Sequence, residues 1–210
     1  RKRRVALLTP LVKAWCTELV NEVTSIGIQV HGGMGFIEET GAAQHYRDAR
    51  ISAIYEGTNG IQANDLVGRK VLRDQGAALG SYLEEILETA ERIEHDERLK
   101  PMAVKLKDAV SNLQAASHYV IENAAGSQKF VGAVAYNFLM MMGYVAGAWY
   151  MARAAEKAVT ELDGSDKAFY ERKLASVNFY FAQLLPRHKG YQEAVITGAE
   201  IGVSLNEACF

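Results

Sequence analysis

The sequence of 210 residues is poor in proline, in cysteine and in net charge. Its three prolines, at positions 10, 101 and 186, leave long stretches free to form helices. Its two cysteines, Cys16 and Cys209, lie near opposite ends without metal-ligand spacing. This argues against a disulfide framework and favours reduced thiols in a cytoplasmic protein. A net charge of −2 argues against nucleic acid or an anionic membrane as the main partner.

Long hydrophobic runs are also missing. No apolar run reaches the roughly 18 residues that a membrane span needs. The longest, from 138 to 154, is interrupted by Gly143, Gly147 and Arg153. We therefore expect no membrane-spanning segment.

The chain starts with the basic tetrad Arg-Lys-Arg-Arg, without a methionine and without the apolar core of a signal peptide. One interpretation of the tetrad is a nucleic-acid or targeting patch. Because it runs directly into a helical pattern, we favour a solvated stretch of a helix whose beginning lies outside this sequence. On this interpretation the chain is a fragment of a larger protein.

Apolar residues at helical spacing dominate the chain, and no segment alternates as a half-buried strand does, so we predict an all-α protein. In residues 1–76, we expect a first helix that ends near Gly27 and is kinked or begun by Pro10. A glycine-rich loop from 27 to 41, a helix from 41 to 50 and a helix through Ile61 and Val71 follow. The apolar stripe of the first helix comprises Val5, Leu8, Val12, Trp15, Leu19, Val23 and Ile26.

Residues 77–210 lack glycine-rich interruptions and predict four long amphipathic helices, arranged as an antiparallel bundle, with a short helix in the tail. Phe138, Trp149 and Phe181 lie on the apolar stripes of these helices, so we expect them to be buried. The Met140-Met141-Met142 run is interpreted as core filler and not as a ligand set. This division gives two parts, 1–76 and a helical extension from 77 to 210.

Two segments carry candidate chemistry, and the first is Gln29-Val30-His31-Gly32-Gly33-Met34-Gly35-Phe36. Adjacent glycines let the backbone approach a ligand closely and turn several N–H groups towards an anion such as a pyrophosphate. The Gln29 amide can add a contact at the rim. By itself, the pattern fits an ordinary glycine-rich loop between helices at least as well.

The second segment runs from 46 to 62 and contains Ile54-Tyr55-Glu56-Gly57-Thr58. Apolar neighbours such as Ile54 would desolvate the Glu56 carboxylate and raise its proton affinity, as a general base for a weakly acidic C–H requires. Gly57 leaves room for a substrate beside it. An ordinary surface or helix-capping glutamate is the alternative interpretation of this segment taken alone.

Together, Gln-x-x-Gly-Gly-x-Gly-Phe, Arg-Asp-Ala-Arg-Ile and Ile-Tyr-Glu-Gly-Thr resemble, in order and spacing, the C-terminal helical domain of the acyl-CoA dehydrogenases over residues 5 to 72. The resemblance implies that Glu56 is the catalytic base, that its backbone N–H donates to the thioester carbonyl, and that Gly57 contacts the substrate. It further implies that a loop of this chain holds the ADP portion of an FAD bound to a neighbouring subunit, and that a second group approaches the same cofactor. The loop is Gln29, Val30, His31, Gly32 and Gly33, and the second group is Thr58, Asn59 and Gly60.

The same resemblance implies an enzyme that oxidises an acyl-CoA to the trans-2-enoyl-CoA, passes electrons to an electron-transfer flavoprotein and forms a homo-oligomer. Two positions depart from the family pattern. His31 replaces an apolar or aromatic residue and is either a cofactor contact or a spacer whose backbone binds. Asn59-Gly60 replaces Ser-Gln, so position 60 keeps only a backbone contact.

The extension resembles that of a larger bacterial subclass, whose members include enzymes acting on 3-methylmercaptopropionyl-CoA and on fatty acyl-CoA. It offers no catalytic cluster of its own. A different kind of function therefore stays open, in which the chain is a helical oligomerisation module without activity of its own. In either case, we expect apolar surface of the first 75 residues to lie bare or to be covered by a second copy.

Overall fold

A computed structural model describes residues 2–124, 126–204 and 208 of the chain, and Cys209 lies outside them. Within these residues the regular structure is entirely helical, which confirms the all-α prediction. The α-helices are α1 (Lys2–Val30), α2 (Gly33–Phe36), α3 (Ala42–Ser52), α4 (Asn59–Asp65), α5 (Ala77–Glu94), α6 (Lys100–Ala124), α7 (Gln128–Thr160), α8 (Lys167–Phe179), α9 (Arg187–Ile196) and α10 (Ala199–Ser204). A 3₁₀ turn at Glu38–Thr40 and two π-helical segments, Leu66–Val71 and Tyr180–Leu184, join them.

Helix α1 is longer than the sequence pattern predicts. It passes Gly27 and ends at Val30, and Pro10 lies buried inside it, so the predicted end near Gly27 and the predicted beginning at Pro10 are both wrong. A glycine within a helix costs about 1 kcal/mol relative to alanine, which is too little to end a helix by itself. The backbone N–H of His31 still donates to the Gly27 carbonyl at 3.3 Å.

The face by which α1 enters the core also differs from the prediction. Leu7, Leu11 and Ala14 are buried, whereas most of the predicted stripe is exposed, Val12 by 56% and Val23 by 64%. Helix α1 therefore has two apolar faces, and this chain covers only one of them. Most exposed large hydrophobic side chains among the described residues precede residue 62. This confirms the expectation of bare apolar surface in the first part of the chain.

The extension packs around α7, and its predicted core residues are buried. Phe138, Trp149 and Phe181 are all buried, and so is the whole Met140–Met142 run. Phe169, on α8, is exposed. One continuous hydrophobic cluster joins Leu7 and Leu66 of the first part to the core of the extension. The boundary at residue 76 stays a prediction, since both sides share this core.

The basic tetrad contributes to this core. The Arg4 guanidinium lies over the rings of Tyr82, at 5.5 Å, and Trp149, at 5.3 Å, and pairs with Glu85. A guanidinium over aromatic faces is attracted by the ring quadrupoles. The interpretation of the tetrad as wholly solvated is therefore wrong for Arg4.

Helix α7 is, among the described residues, the one helix long and apolar enough to cross a membrane by length and composition. Gly143, Gly147 and Arg153, which interrupt its apolar run, leave it apolar enough by this criterion. Of its most apolar window, 67% is buried inside the structure. A helix that is apolar around most of its circumference and covered by its neighbours is typical of a protein core.

Candidate functional site

The segment that carries Glu56 is a tight turn between α3 and α4. The N–H of Asn59, the first residue of α4, donates to the Ala53 carbonyl at 3.1 Å and closes the neck of the turn. The Gln62 side-chain amide donates to the Glu56 carbonyl oxygen at 3.2 Å. The turn is therefore tied at both its neck and its tip.

Glu56 and Gly57 both have left-handed backbone conformations, with φ of 56° and 85°. Glycine adopts this region freely, but for glutamate it costs roughly 1 kcal/mol or more. Gln75 is the one other non-glycine residue among the described residues with a positive φ. Such conformations persist where the surrounding structure fixes them, and they cluster at functional sites.

The Glu56 side chain is exposed in this chain. Ile54, predicted to desolvate it, is itself 49% exposed, and Tyr55 is 56% exposed. This chain therefore presents the carboxylate together with apolar side chains but does not enclose it.

Thr58 caps α4, because its hydroxyl oxygen accepts the backbone N–H of Ile61 at 3.3 Å. Gly60 is exposed, and a Cβ atom there would meet nothing closer than the Thr58 hydroxyl at 3.9 Å. The backbone around Gly60 is thus open to a ligand.

The Asn59 side chain points away from the solvent and into α1. It is 5% exposed and lies within hydrogen-bond distance of four polar groups, all on α1. Its partners are Lys13 Nζ at 3.0 Å, Thr17 Oγ1 at 3.0 Å, the Ala14 carbonyl at 3.3 Å and Glu18 Oε1 at 2.8 Å. This side chain is therefore engaged inside the protein, and the backbone N–H of Asn59 is engaged with the Ala53 carbonyl.

The glycine-rich segment is more ordered than the predicted loop from 27 to 41. Gln29 and Val30 form the last turn of α1, His31 and Gly32 form a turn, and Gly33 begins α2. All five residues are exposed.

The three glycines between Gln29 and Phe36, namely Gly32, Gly33 and Gly35, have different structural roles. Gly32 has a φ of 59°, which favours glycine. Gly35 is buried, and a Cβ atom there would overlap the Ile28 carbonyl oxygen, so this glycine lets α2 pack on α1. Gly33 has neither constraint, because nothing lies within 4 Å of its Cβ position. Open space and exposed backbone at Gly32–Gly33 are compatible with a ligand that approaches closely.

The two segments do not form one pocket in this chain. The Glu56 turn is anchored to α1 at residues 13 to 18. The glycine segment lies at the C-terminal end of α1, around Val30. At 1.5 Å per residue, these points lie about 20 Å apart along the helix. A cofactor held by the glycine segment and one close to Glu56 would therefore occupy different regions of this chain's surface.

Sequence reasoning did not find the residues that hold the Glu56 turn. Lys13, Thr17 and Glu18 precede Asn59 by 41 to 46 residues, and no motif connects them. Gln62 was part of the second segment but received no role. The one signal for Asn59 is its departure from the family pattern, and no sequence motif connects that departure with α1.

Two family models match the chain. Residues 2–71 match "Acyl-CoA dehydrogenase, C-terminal domain", and residues 82–205 match "Acetyl-CoA dehydrogenase C-terminal like". Together they cover both the Glu56 turn and the bundle around α7.

Named relatives agree with these matches. The 3-methylmercaptopropionyl-CoA dehydrogenase of Ruegeria pomeroyi is 43% identical over 180 residues, which is 85% of this chain and 31% of that protein. A broad-specificity linear acyl-CoA dehydrogenase of Mycobacterium tuberculosis is 32% identical over 214 residues, covering 97% of this chain and 35% of that protein. The chain thus spans about a third of the length of these relatives.

A solved structure has a similar fold. It is an acyl-CoA dehydrogenase from Bacillus anthracis complexed with FAD, with a TM-score of 0.66 and 20% sequence identity. The match covers 96% of this chain and 34% of that one. The helical arrangement is therefore shared along almost the whole chain.

Proposed function

The chain belongs to the acyl-CoA dehydrogenase family, and from this we propose that it is the C-terminal catalytic part of an FAD-dependent enzyme that oxidises an acyl-CoA thioester to the trans-2-enoyl-CoA. The observation that carries the proposal is the turn at Glu56 and Gly57. A carboxylate on a left-handed residue, tied at neck and tip and presented with exposed apolar neighbours, fits a positioned general base.

In this proposal, Glu56 accepts the proton from the α-carbon of the substrate. The electron pair of that C–H bond forms the new double bond as the β-hydrogen leaves with its own electron pair. A bound FAD supplies the acceptor for that hydride. The backbone N–H of Glu56 donates to the thioester carbonyl and stabilises the charge that develops on its oxygen.

Gly57 leaves the substrate side of the turn free. Its φ of 85° favours glycine, and a Cβ atom there would come within 3.0 Å of the Gln62 amide nitrogen. A larger residue would therefore disturb the hydrogen bond that ties Glu56. This supports a role for Gly57 in the turn geometry, and its substrate contact is proposed from the family pattern.

Gln29, Val30, His31, Gly32 and Gly33 are the proposed contacts to the ADP portion of FAD. The exposed, open backbone at Gly32 and Gly33 supports this assignment. The exposed apolar face of α1 supports a homo-oligomer, in which this FAD is bound to a neighbouring subunit. Thr58, Gly60 and the backbone of Asn59 are the proposed contacts of the second group.

The proposed substrate class is an acyl-CoA, with 3-methylmercaptopropionyl-CoA and linear fatty acyl-CoA as the first to test. We further propose an electron-transfer flavoprotein as the electron acceptor and the cytoplasm as the location. The exposed apolar face of α1 favours a second function, assembly, either beside the catalytic one or in its place. Flavin absorbance of the purified chain separates an assembly module from a cofactor-binding part of the enzyme.

The central test is Glu56→Gln in the full-length enzyme. Glutamine keeps the size and hydrogen bonding of the side chain but cannot accept the α-proton. We expect kcat to fall by about 10²–10⁴-fold while flavin stays bound. Glu91→Gln, at an exposed position on α5, is the matched control and should leave kcat unchanged. Near-normal turnover by Glu56→Gln would assign the role to another carboxylate.

A further inference from the structure

The buried amide of Asn59 is held by α1. Its oxygen accepts from Lys13 Nζ, and its nitrogen donates to Glu18 Oε1 and the Ala14 carbonyl. Thr17 Oγ1 also lies 3.0 Å from the amide oxygen, but its single proton is shared with the carbonyl oxygens of Lys13 and Ala14, at 2.8 and 3.0 Å. Lysine can only donate and an ionised glutamate can only accept, so these two partners fix the orientation of the amide. The amide oxygen and both of its N–H groups are thus engaged.

No other side chain of similar size matches these four partners. Aspartate would provide no donor and would bring a carboxylate against Glu18. Leucine would leave Lys13 and Glu18 without this partner. Serine is too short to reach four partners. The α1 surface at residues 13 to 18 therefore recognises an amide at this position.

Asn59 is connected directly to the conformation of Glu56. It lies three residues beyond Glu56, and its own N–H closes the neck of the turn on Ala53. The left-handed conformation of Glu56 is intrinsically unfavourable and persists only where surrounding contacts fix it. We propose that Asn59 is a positioning residue, which holds the Glu56 turn in its left-handed conformation by anchoring it to α1. This inference rests on the proposed role of Glu56 as the base.

Asn59→Asp in the full-length holoenzyme tests the inference, with Asn64→Asp as the matched control. Asn64 is on the same helix, is exposed and undergoes the same chemical change. Since a displacement of about 1 Å can lower a rate about 10²-fold, we expect Asn59→Asp to lower kcat about 10- to 100-fold. Flavin content should be unchanged and KM should change by no more than about threefold. Asn64→Asp should keep normal kcat.

An isotope effect distinguishes positioning from a loss of stability. With acyl-CoA deuterated at the α-carbon, a misplaced base makes proton abstraction more rate-limiting, so the deuterium effect on kcat should rise in Asn59→Asp. A lower melting temperature with normal kcat and a normal isotope effect per bound flavin would show a merely structural role and overturn the inference.

A variant on α1 keeps the inference testable if Asn59→Asp does not fold. Lys13→Met removes the ammonium donor to the Asn59 oxygen at nearly constant side-chain length, so it should lower kcat two- to tenfold and raise the isotope effect. Normal kcat and isotope effect in Lys13→Met would overturn the inference. Where Asn59→Asp folds, adding Glu18→Gln replaces the facing carboxylate with an amide that can donate, so the double variant should recover at least tenfold of a hundredfold loss in kcat.

Glu56→Gln, measured in parallel, separates the inference from the proposed function. If Glu56→Gln keeps normal turnover, the base assignment and the inference both fail. If Glu56→Gln loses turnover while Asn59→Asp keeps normal kcat and isotope effect, only the positioning role of Asn59 fails.

Discussion

The indole ring of Trp15 on α1 lies directly against Gly143 of α7, where a Cβ atom would overlap the ring. One turn further along α7, a Cβ atom at Gly147 would overlap the Tyr180 hydroxyl group. That hydroxyl donates to the Tyr144 carbonyl at 2.9 Å. The two glycines therefore form the groove through which α1 and the Tyr180 segment approach α7 closely.

Gly143→Ala should destabilise the protein, because the added methyl group must displace the Trp15 ring or separate α1 from α7. Overpacking of this kind costs about 1–3 kcal/mol. Gly132→Ala, on the same helix but with nothing within 4 Å of its Cβ position, should instead stabilise by about 0.5–1 kcal/mol. Denaturant unfolding measures both variants. Equal effects of the two substitutions would contradict the close approach at Gly143.

Much of the fold could be predicted because α5 and α6 each have one apolar face. The spacing of Leu79 through Ile93 and of Met102 through Val120 predicted α5 and α6, and the stripes located the buried Phe138 and Trp149. The same reasoning failed on α1, because that helix is apolar on two sides. Periodicity identifies apolar faces, but it does not say which face this chain itself covers.

For the candidate site, the sequence predicted which residues to consider but not how they are held. The motif spacing singled out Glu56 and Gly57, and the structure places both in one strained turn. Their assigned roles stay predictions. The contacts of Asn59 with Lys13 and Glu18 depend on how α4 packs on α1, which residues more than 40 positions apart do not reveal by local pattern.

The strain at Glu56 predicts opposite effects on stability and activity. Glu56→Gly relieves the left-handed conformation and should stabilise the protein by about 1 kcal/mol, while it abolishes turnover by removing the carboxylate. Gln75→Gly relieves a similar conformation, φ 54°, and should leave kcat unchanged. Thermal unfolding and steady-state kinetics of both variants check this. A destabilised Glu56→Gly would show that the turn is not strained.

The glycine segment predicts that two neighbouring substitutions act differently. Gly33→Val meets open space at an ordinary φ, so it should leave the melting temperature nearly unchanged and reduce FAD content if the cofactor approaches here. Gly32→Val forces a β-branched residue into φ 59° and should lower both the melting temperature and the FAD content. Flavin absorbance per protein and thermal unfolding distinguish them. Full FAD occupancy in a stable Gly33→Val enzyme would refute the cofactor assignment of this segment.

His188 predicts a loss of stability in mild acid. It is buried, its Nδ1 lies 2.5 Å from the Leu185 carbonyl, and Asn112 Nδ2 lies 3.1 Å from its Nε2. Burial lowers the pKa of His188 below its ordinary value of 6.5, an effect that the Leu185 hydrogen bond and nearby Asp108 partly oppose. The unfolded chain therefore binds a proton at His188 at a higher pH than the folded chain does. The contribution of neutral His188 to the free energy of unfolding is thus fully present above about pH 6.5 and decreases as the pH falls below it.

Melting temperatures measured between pH 7.5 and 5 check this prediction. The decrease should be smaller in His188→Gln than in the parent protein. His118→Gln, at an exposed position on α6, should retain the full decrease. Identical pH profiles for the parent and His188→Gln would mean that His188 does not contribute to the acid sensitivity.

The exposed face of α1 predicts self-association of the isolated chain. Val5, Val12, Leu19 and Ile26 recur every seven residues, a spacing typical of a seam between packed helices. Val5, Val12 and Ile26 are more than half exposed, so the isolated chain leaves this seam uncovered. Since a second copy carries the same seam, a symmetric dimer or larger assembly would cover it.

Sedimentation velocity should therefore show a dimer or larger species. The double variant Val12→Lys/Ile26→Lys should sediment as a monomer, because it places two charges in the seam. Val104→Lys, at an exposed valine on α6, should keep the assembly. A parent chain that stays monomeric at high concentration would contradict the prediction, and an assembly unaffected by the double variant would place its interface on another surface.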